Sequence, residues 1–298
     1  MTDAVRGAGK DLYTDTTDDD YDNANSLQSF ESDGFTLGTD NGPNNSTKHY
    51  VAWTWDMGGS NANNTTGSID SVVRANATYG QSIVKWTGNG TTGHGLSSAP
   101  EMIIVKPIDV AGAWWTWHKD LSNTSQGYLQ LNTTAAEATN SSLWDNASPV
   151  TSTTINANTA YINYATDNYI AYCFHSVTGY SKIGSYTGSG SSGKVVTTGF
   201  APAFVLVKNT GAAENWAIVD NTRSPTNPAT KALFPNSAEV EQDNAVNAVD
   251  FNSDNFTVDS TDDRWNGNGA TYIYMAFADK REYAYWLDQS GNNNDWTS

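Results

Sequence analysis

Apolar residues in this chain come in short runs dominated by β-branched and aromatic side chains, each closed by Gly, Pro, Asn or Asp. Ile103-Ile104-Val105, Phe204-Val205-Leu206-Val207, Trp216-Ala217-Ile218-Val219 and Tyr272-Ile273-Tyr274-Met275-Ala276-Phe277 are the clearest. Runs of this length and composition predict strands. Only 133–138 and 237–241 carry enough Ala and Glu to predict a turn or two of helix. Many short strands with frequent turn residues predict an all-β fold of the β-sandwich, jelly-roll-like kind.

The runs recur. Ile83-Val84-Lys85-Trp86-Thr87-Gly88-Asn89-Gly90 returns as Ile183-Gly184-Ser185-Tyr186-Thr187-Gly188-Ser189-Gly190, an offset of 183 − 83 = 100 residues. Ala99-Pro100 through Lys106 returns as Ala201-Pro202 through Lys208, and Tyr169–Phe174 matches Tyr272–Phe277. A period of about 100 residues is the size of a small domain rather than of a solenoid turn, so each copy should bury a core of its own. A third, partial copy opens the chain: Phe30–Leu37 matches Phe251–Val258, Tyr50–Trp53 matches the closing strands, and Asp3-Ala4-Val5-Arg6 echoes Asp220–Arg223. The predicted divisions are a partial second-half repeat (1–56), a Gly/Asn/Thr-rich linker (57–75), complete repeats at 76–178 and 179–281, and a tail or the start of a further domain at 282–298. Half a sandwich cannot bury its inner face, so the first segment is expected to be ordered only by pairing with another repeat or chain.

Charge narrows the partners. Asp+Glu number 32 against Lys+Arg 15, a net −17 that repels phosphate backbones and anionic headgroups, so neither nucleic acid nor membrane insertion is expected. The single Cys173 lies in a strand-like run and reads as a buried free thiol.

Catalytic patterns are sparse. Gly88–Gly93 and Gly188–Gly193 fit a dinucleotide-binding fingerprint, but no helix start follows either, and both read as hairpin loops. The four histidines fall at non-equivalent points of the repeat, and no zinc or nucleophile-elbow motif occurs. No enzyme activity and no cofactor are expected. The run Asp18-Asp19-Asp20-Tyr21-Asp22 and the cluster Asp259, Asp262, Asp263 read as solvated acidic loops, since the first lacks Gly and Glu at the sixth and twelfth calcium-loop positions.

Aromatic residues offer the better binding signal. Exposed indoles beside Asn can stack on a sugar face while the amides bond its hydroxyls. Trp114 and Trp117 crowd one segment, and Trp265 lies in a loop with Asn266 and Asn268; these five are the candidate glycan contacts. Trp115 aligns with Trp216 and reads as core.

The ordered phrases Ser82–Gly90, Gly93-His94-Gly95-Leu96, Ala99–Lys106, Tyr128–Ala136 and Tyr169–Phe174 resemble the tandem modules of marine bacteriophage virion proteins, cyanophage tail fibres among them. The resemblance implies a virion structural protein on the particle exterior, made in the host cytoplasm. It implies a tail-fibre or host-adhesion role, with a closed homo-oligomer such as a trimer, other virion proteins, and host-surface glycans or proteins as partners. Capsid decoration or filament formation is the alternative, and a polysaccharide-degrading enzyme the second alternative.

Overall fold

The computed structural model describes residues 1–280 apart from Asn146 and Thr159; the expected tail at 282–298 lies outside the described residues. The fold is all-β, with no α-helix among the described residues. The N-terminal half-module holds β1 (Lys10–Asp11), β2 (Tyr21–Asp22), β3 (Leu27–Phe30) and β4 (Phe35–Leu37). Two strands follow, β5 (Ala62–Asn64) and β6 (Ser71–Asn76). The first full module comprises β7 (Gln81–Thr87), β8 (Thr91–Gly93), β9 (Met102–Pro107), β10 (Trp115–His118), β11 (Gly127–Gln130), β12 (Ala138–Thr139), β13 (Thr154–Asn156) and β14 (Asn168–Phe174). The second comprises β15 (Ser181–Thr187), β16 (Lys194–Thr197), β17 (Phe204–Asn209), β18 (Ala217–Asp220), β19 (Lys231–Ala232), β20 (Gln242–Asp243), β21 (Val249–Phe251), β22 (Asn255–Val258) and β23 (Thr271–Phe277).

Each full module is two-layered. The second module sets the sheet β15-β23-β17-β18 against β16-β22-β21; the first sets the corresponding β7-β14-β9-β10 against β8-β13, and extends its sheet with β11-β12 at one edge and β6-β5 at the other. All strand pairs are antiparallel, which lets short loops connect them. The central strands are buried on both faces, so they read as unbroken apolar runs instead of alternating ones. In β23, Tyr272, Tyr274 and Ala276 enter the second module's own core, while Ile273, Met275 and Phe277 join the core of the first module. Two-residue periodicity thus divides one strand between an internal core and the core between modules.

The half-module packs within the chain. Trp53 and Trp55 lie 5.6 and 5.4 Å from Phe204, and Trp55 lies 5.6 Å from Phe277, which is itself 5.8 Å from Phe174. Since Trp55, Phe174 and Phe277 hold matching places in their repeats, the three closing segments converge on one aromatic cluster with approximate threefold symmetry. The expectation that 1–56 needs another repeat is met in cis for this face.

Several expected features differ. The stretch 57–75 is not a free linker: Ser71–Asn76 pairs with β7 along its whole length, because backbone pairing needs no apolar side chains once an edge is available. Neither predicted helical segment forms; 133–137 and 237–241 are irregular, Ala138 begins β12, and Glu137 N–H donates to the Thr210 carbonyl of the second module. The glycine loops are not hairpins, because 88–90 leads from β7 across to β8, which pairs with β13 in the other layer. Gly88 is required there by close approach, since a Cβ would sit 2.5 Å from the Tyr164 carbonyl oxygen.

Candidate functional site

Two polar devices join the modules, and both are repeated. Lys106 and Lys208 end equivalent strands, facing Ile170 and Ile273 in register, and both are fully buried. Each ammonium finds backbone carbonyls: Lys106 Nζ donates to Pro107 (2.7 Å) and Thr17 (3.4 Å), Lys208 Nζ to Asn209 (2.6 Å), Ala212 (3.0 Å) and Thr134 (3.2 Å). Burial lowers both pKa values to about 8. Beside each lysine an indole reaches into the preceding unit: Trp114 Nε1 donates to the Tyr13 carbonyl and Trp216 Nε1 to the Gln130 carbonyl, both at 3.0 Å. Trp114, not Trp115, is therefore the counterpart of Trp216, as the matched bonds from Trp114 N–H to Asn132 and Trp216 N–H to Asn236 also show.

A third device lies on the approximate threefold arrangement. Asp3 accepts from the Arg6 backbone (2.9 Å) and Arg6 Nε (2.5 Å), and Asp220 makes the same pair of bonds with Arg223 (2.8 and 2.6 Å). Each carboxylate then takes one bond from a neighbouring closing segment, Tyr172 Oη to Asp3 (2.8 Å) and Trp53 Nε1 to Asp220 (3.1 Å). At the third place stand His118 and Met275. Met275 has no proton to give, His118 Nδ1 accepts from Asp120 N–H (3.1 Å), and burial lowers the His118 pKa to about 4.

An open cleft of about 480 Å³ lies where the modules meet. Lys119 and Asp120 come from the first module; Lys182, Gly184, Ser185, Tyr186, Lys194, Val195, Thr197 and Tyr274 come from the second. The cleft runs along the outer edge of β15, which ends its sheet, whereas the equivalent edge of β7 is covered by β6. Ser176 Oγ caps part of that edge by accepting from Ile183 N–H (2.9 Å). Glu101 ties the junction together, accepting from Lys119 Nζ and from Ser176 N–H, each at 2.7 Å. Burial works to raise the Glu101 pKa, but the bonds from Lys119 and Ser176 outweigh it and hold the carboxyl below its ordinary value. Gly184 admits the Tyr274 ring, whose hydroxyl would lie 3.0 Å from a Cβ there, and burial raises the Tyr274 pKa to about 12. Three lysines and the exposed hydroxyls of Ser185 and Thr197, beside the Asp120 carboxylate, suit hydrogen bonding to a polar or anionic ligand.

The sequence-predicted contacts do not gather here. Trp114, Trp265 and Asn266 are fully buried and Trp117 is 7 % exposed, so none presents a ring or amide to a sugar; this corrects their assignment as glycan contacts. Trp117 Nε1 donates to the Thr124 carbonyl, and Trp265 Nε1 to Asn247 Oδ1. Asn266 pins the glycine loop, accepting from Ser189 N–H (2.7 Å) and donating to the Ser191 carbonyl (2.7 Å), as Asn163 does at Gly90. Asn268 alone of the five is exposed, in the loop between β22 and β23. The cleft lysines left no motif; Lys106 and Lys208 were visible as a repeated Lys closing a repeated apolar run.

The acidic groups are likewise dispersed. Asp20 bonds Arg6 Nη1 at 2.9 Å, while Asp259 and Asp262 line a shallow cleft of about 290 Å³. Among the described residues no three His, Cys, Asp or Glu side chains gather as a metal site. Cys173 is fully buried, and burial raises its thiol to about 12.

Residues 1–281 match the model of a family described as a domain of unknown function, DUF7483, and the chain belongs to that family. The match takes the half-module and both full modules as one unit, as their packing does. No curated protein and no solved structure matches the chain.

Proposed function

We propose that this chain is a structural component of a bacteriophage virion, of the tail-fibre or host-adhesion kind, in which rigidly joined β-modules carry a shallow ligand surface. The observation that carries this reading is the grip made twice over, an indole and a buried ammonium of one module on backbone carbonyls of the one before. Such joints turn tandem modules into one stiff body, which is what a spacer or adhesion element needs. The acidic, Asn- and Thr-rich surface and the resemblance of the repeated phrases to marine phage modules support the same reading.

The ligand surface in this proposal is the junction cleft, with Lys182 and Lys194 as contacts for host-surface saccharides, acidic ones above all. A shallow cleft binds weakly alone, and strength comes from many copies on one particle. Immunogold electron microscopy of virions should place the chain on the tail or particle exterior, and Lys182→Glu with Lys194→Glu should reduce binding of the assembled form to host envelopes. Labelling of the particle interior, or of host cytoplasm alone, would contradict the proposal. A decoration or filament role is favoured by one observation, the apolar side chains that the half-module leaves exposed.

A further inference from the structure

The half-module exposes residues whose counterparts are core. Phe35 and Tyr50 are 36 % and 50 % exposed, whereas Phe256 and Tyr272 at the matching places are fully buried. The reason is what surrounds the latter pair. Tyr186 of β15 stacks on Tyr272 at 4.8 Å with an interplanar angle of 10°, and Tyr186 and Tyr274 lie 6.2 and 5.3 Å from Phe256. Among the described residues nothing corresponding to β15, β16 and β17 stands beside the half-module.

Residues 50–56 show the same gap in their backbone. They alternate exposed and half-buried as a strand does, with Trp53 and Trp55 turned inward and Tyr50, Ala52 and Thr54 outward. The matching strand β23 is flanked on both sides by antiparallel partners, β15 and β17. Residues 50–56 pair with no strand among the described residues.

The third module joint is open in the same way. Tyr13, Gln130 and Phe234 offer equivalent turn carbonyls, accepting from Thr16, Thr133 and Ser237 N–H. The first two also accept an indole N–H, and among the described residues the third does not.

We infer that this face is completed by the first half of a further module of the same kind, lying outside the described residues. Its two outer strands would flank 50–56 antiparallel, a Tyr186-like ring would cover Phe35 and Tyr50, and a lysine and tryptophan would reach the turn that begins at Phe234. A second copy of this chain is not the occupant, because both of its first halves, β7–β9 and β15–β17, are already seated on their own second halves. Charge points the same way: residues 1–56 carry eleven Asp and Glu against three Lys and Arg, 3 − 11 = −8. A basic or neutral half-module suits that surface. This inference goes beyond the virion proposal and does not depend on it.

The test is hydrogen exchange on the full chain with a synthetic polypeptide copying residues 179–220, which carries three lysines against Glu214 and Asp220. The amides of 50–56 should become at least about tenfold slower to exchange, with one peptide bound per chain. The same peptide with Lys208→Ala and Trp216→Ala should bind at least about tenfold more weakly. Ala52→Pro in the chain should abolish the protection, since Ala52 is exposed and proline removes an N–H needed for strand pairing. Unchanged exchange at saturating peptide, equal protection by a scrambled peptide, or protection that instead rises with the concentration of the chain alone would each overturn the inference.

Discussion

Tyr172 donates its hydroxyl proton to Asp3 across 169 residues of sequence, at 2.8 Å and out of contact with solvent. Burial raises the Tyr172 pKa well above its ordinary value, so the phenol stays protonated and is a constant donor. With Trp53 on Asp220, this bond fastens one closing segment to the Asp-Arg turn of a neighbouring unit. Tyr172→Phe removes the donor and leaves the carboxylate one bond short, which should cost about 1–3 kcal/mol. Met275→Leu, at the matching place without such a bond, should cost under about 1.5 kcal/mol. Urea unfolding of both variants checks the contrast.

Stability should rise with pH on the alkaline side of neutrality because of the two buried lysines. With folded pKa values near 8 against an ordinary 10.5, the folded chain releases protons above pH 8 that the unfolded chain still holds, so the slope is positive between those values. From about pH 10 the tyrosines oppose it: Tyr169, Tyr272 and Tyr274, raised to about 12 by burial, stay protonated when their unfolded forms ionise. The difference between the wild type and Lys208→Met, followed from pH 7 to 10, isolates the lysine. The gap between them should narrow or reverse in favour of the wild type as pH rises.

On the acid side His118 should weaken the fold. Its folded pKa near 4 lies below the ordinary 6.5, so stability is whole above pH 6.5 and is lost as pH falls toward 4, where the unfolded chain alone binds the proton. His118→Asn should show a smaller loss between pH 6.5 and 4.5 in thermal melts.

Trp265→Ala should cost about 3–5 kcal/mol, because the ring is fully buried against the second module's core. Trp265→Phe should recover much of that loss, and saccharide binding should follow folding in both variants. The sequence already contained the warning, since Ile162 holds the equivalent position in the first module and an aliphatic there signals core.

Repeats were legible because matched apolar runs mark matched strands: β9 with β17 and β14 with β23 are visible as phrases. The all-β class followed from the same runs, and Cys173, Phe174 and Phe277 are buried as their strands predicted. Registers were less legible. Three tryptophans between Ala113 and His118 let Trp115 slide onto Trp216, and only the bonds to Asn132 and Asn236 fix the correct pair. Polar strands such as β6 escaped because their partner, not their composition, makes them strands. The cleft had no signature, since Lys119, Lys182 and Lys194 come from three separate segments and meet only through the packing of two modules.

That packing is the central claim, and calorimetry of Trp55→Ala tests it most directly. Trp55 belongs to the half-module but touches only the second module's aromatic pair, Phe204 and Phe277, among its ring contacts. If half-module and modules form one cooperative body, the wild type melts in a single transition, and the variant moves that whole transition down by about 2–4 °C for each kcal/mol lost. Separate transitions, with the two full modules melting as before while only the first segment is lost, would contradict it.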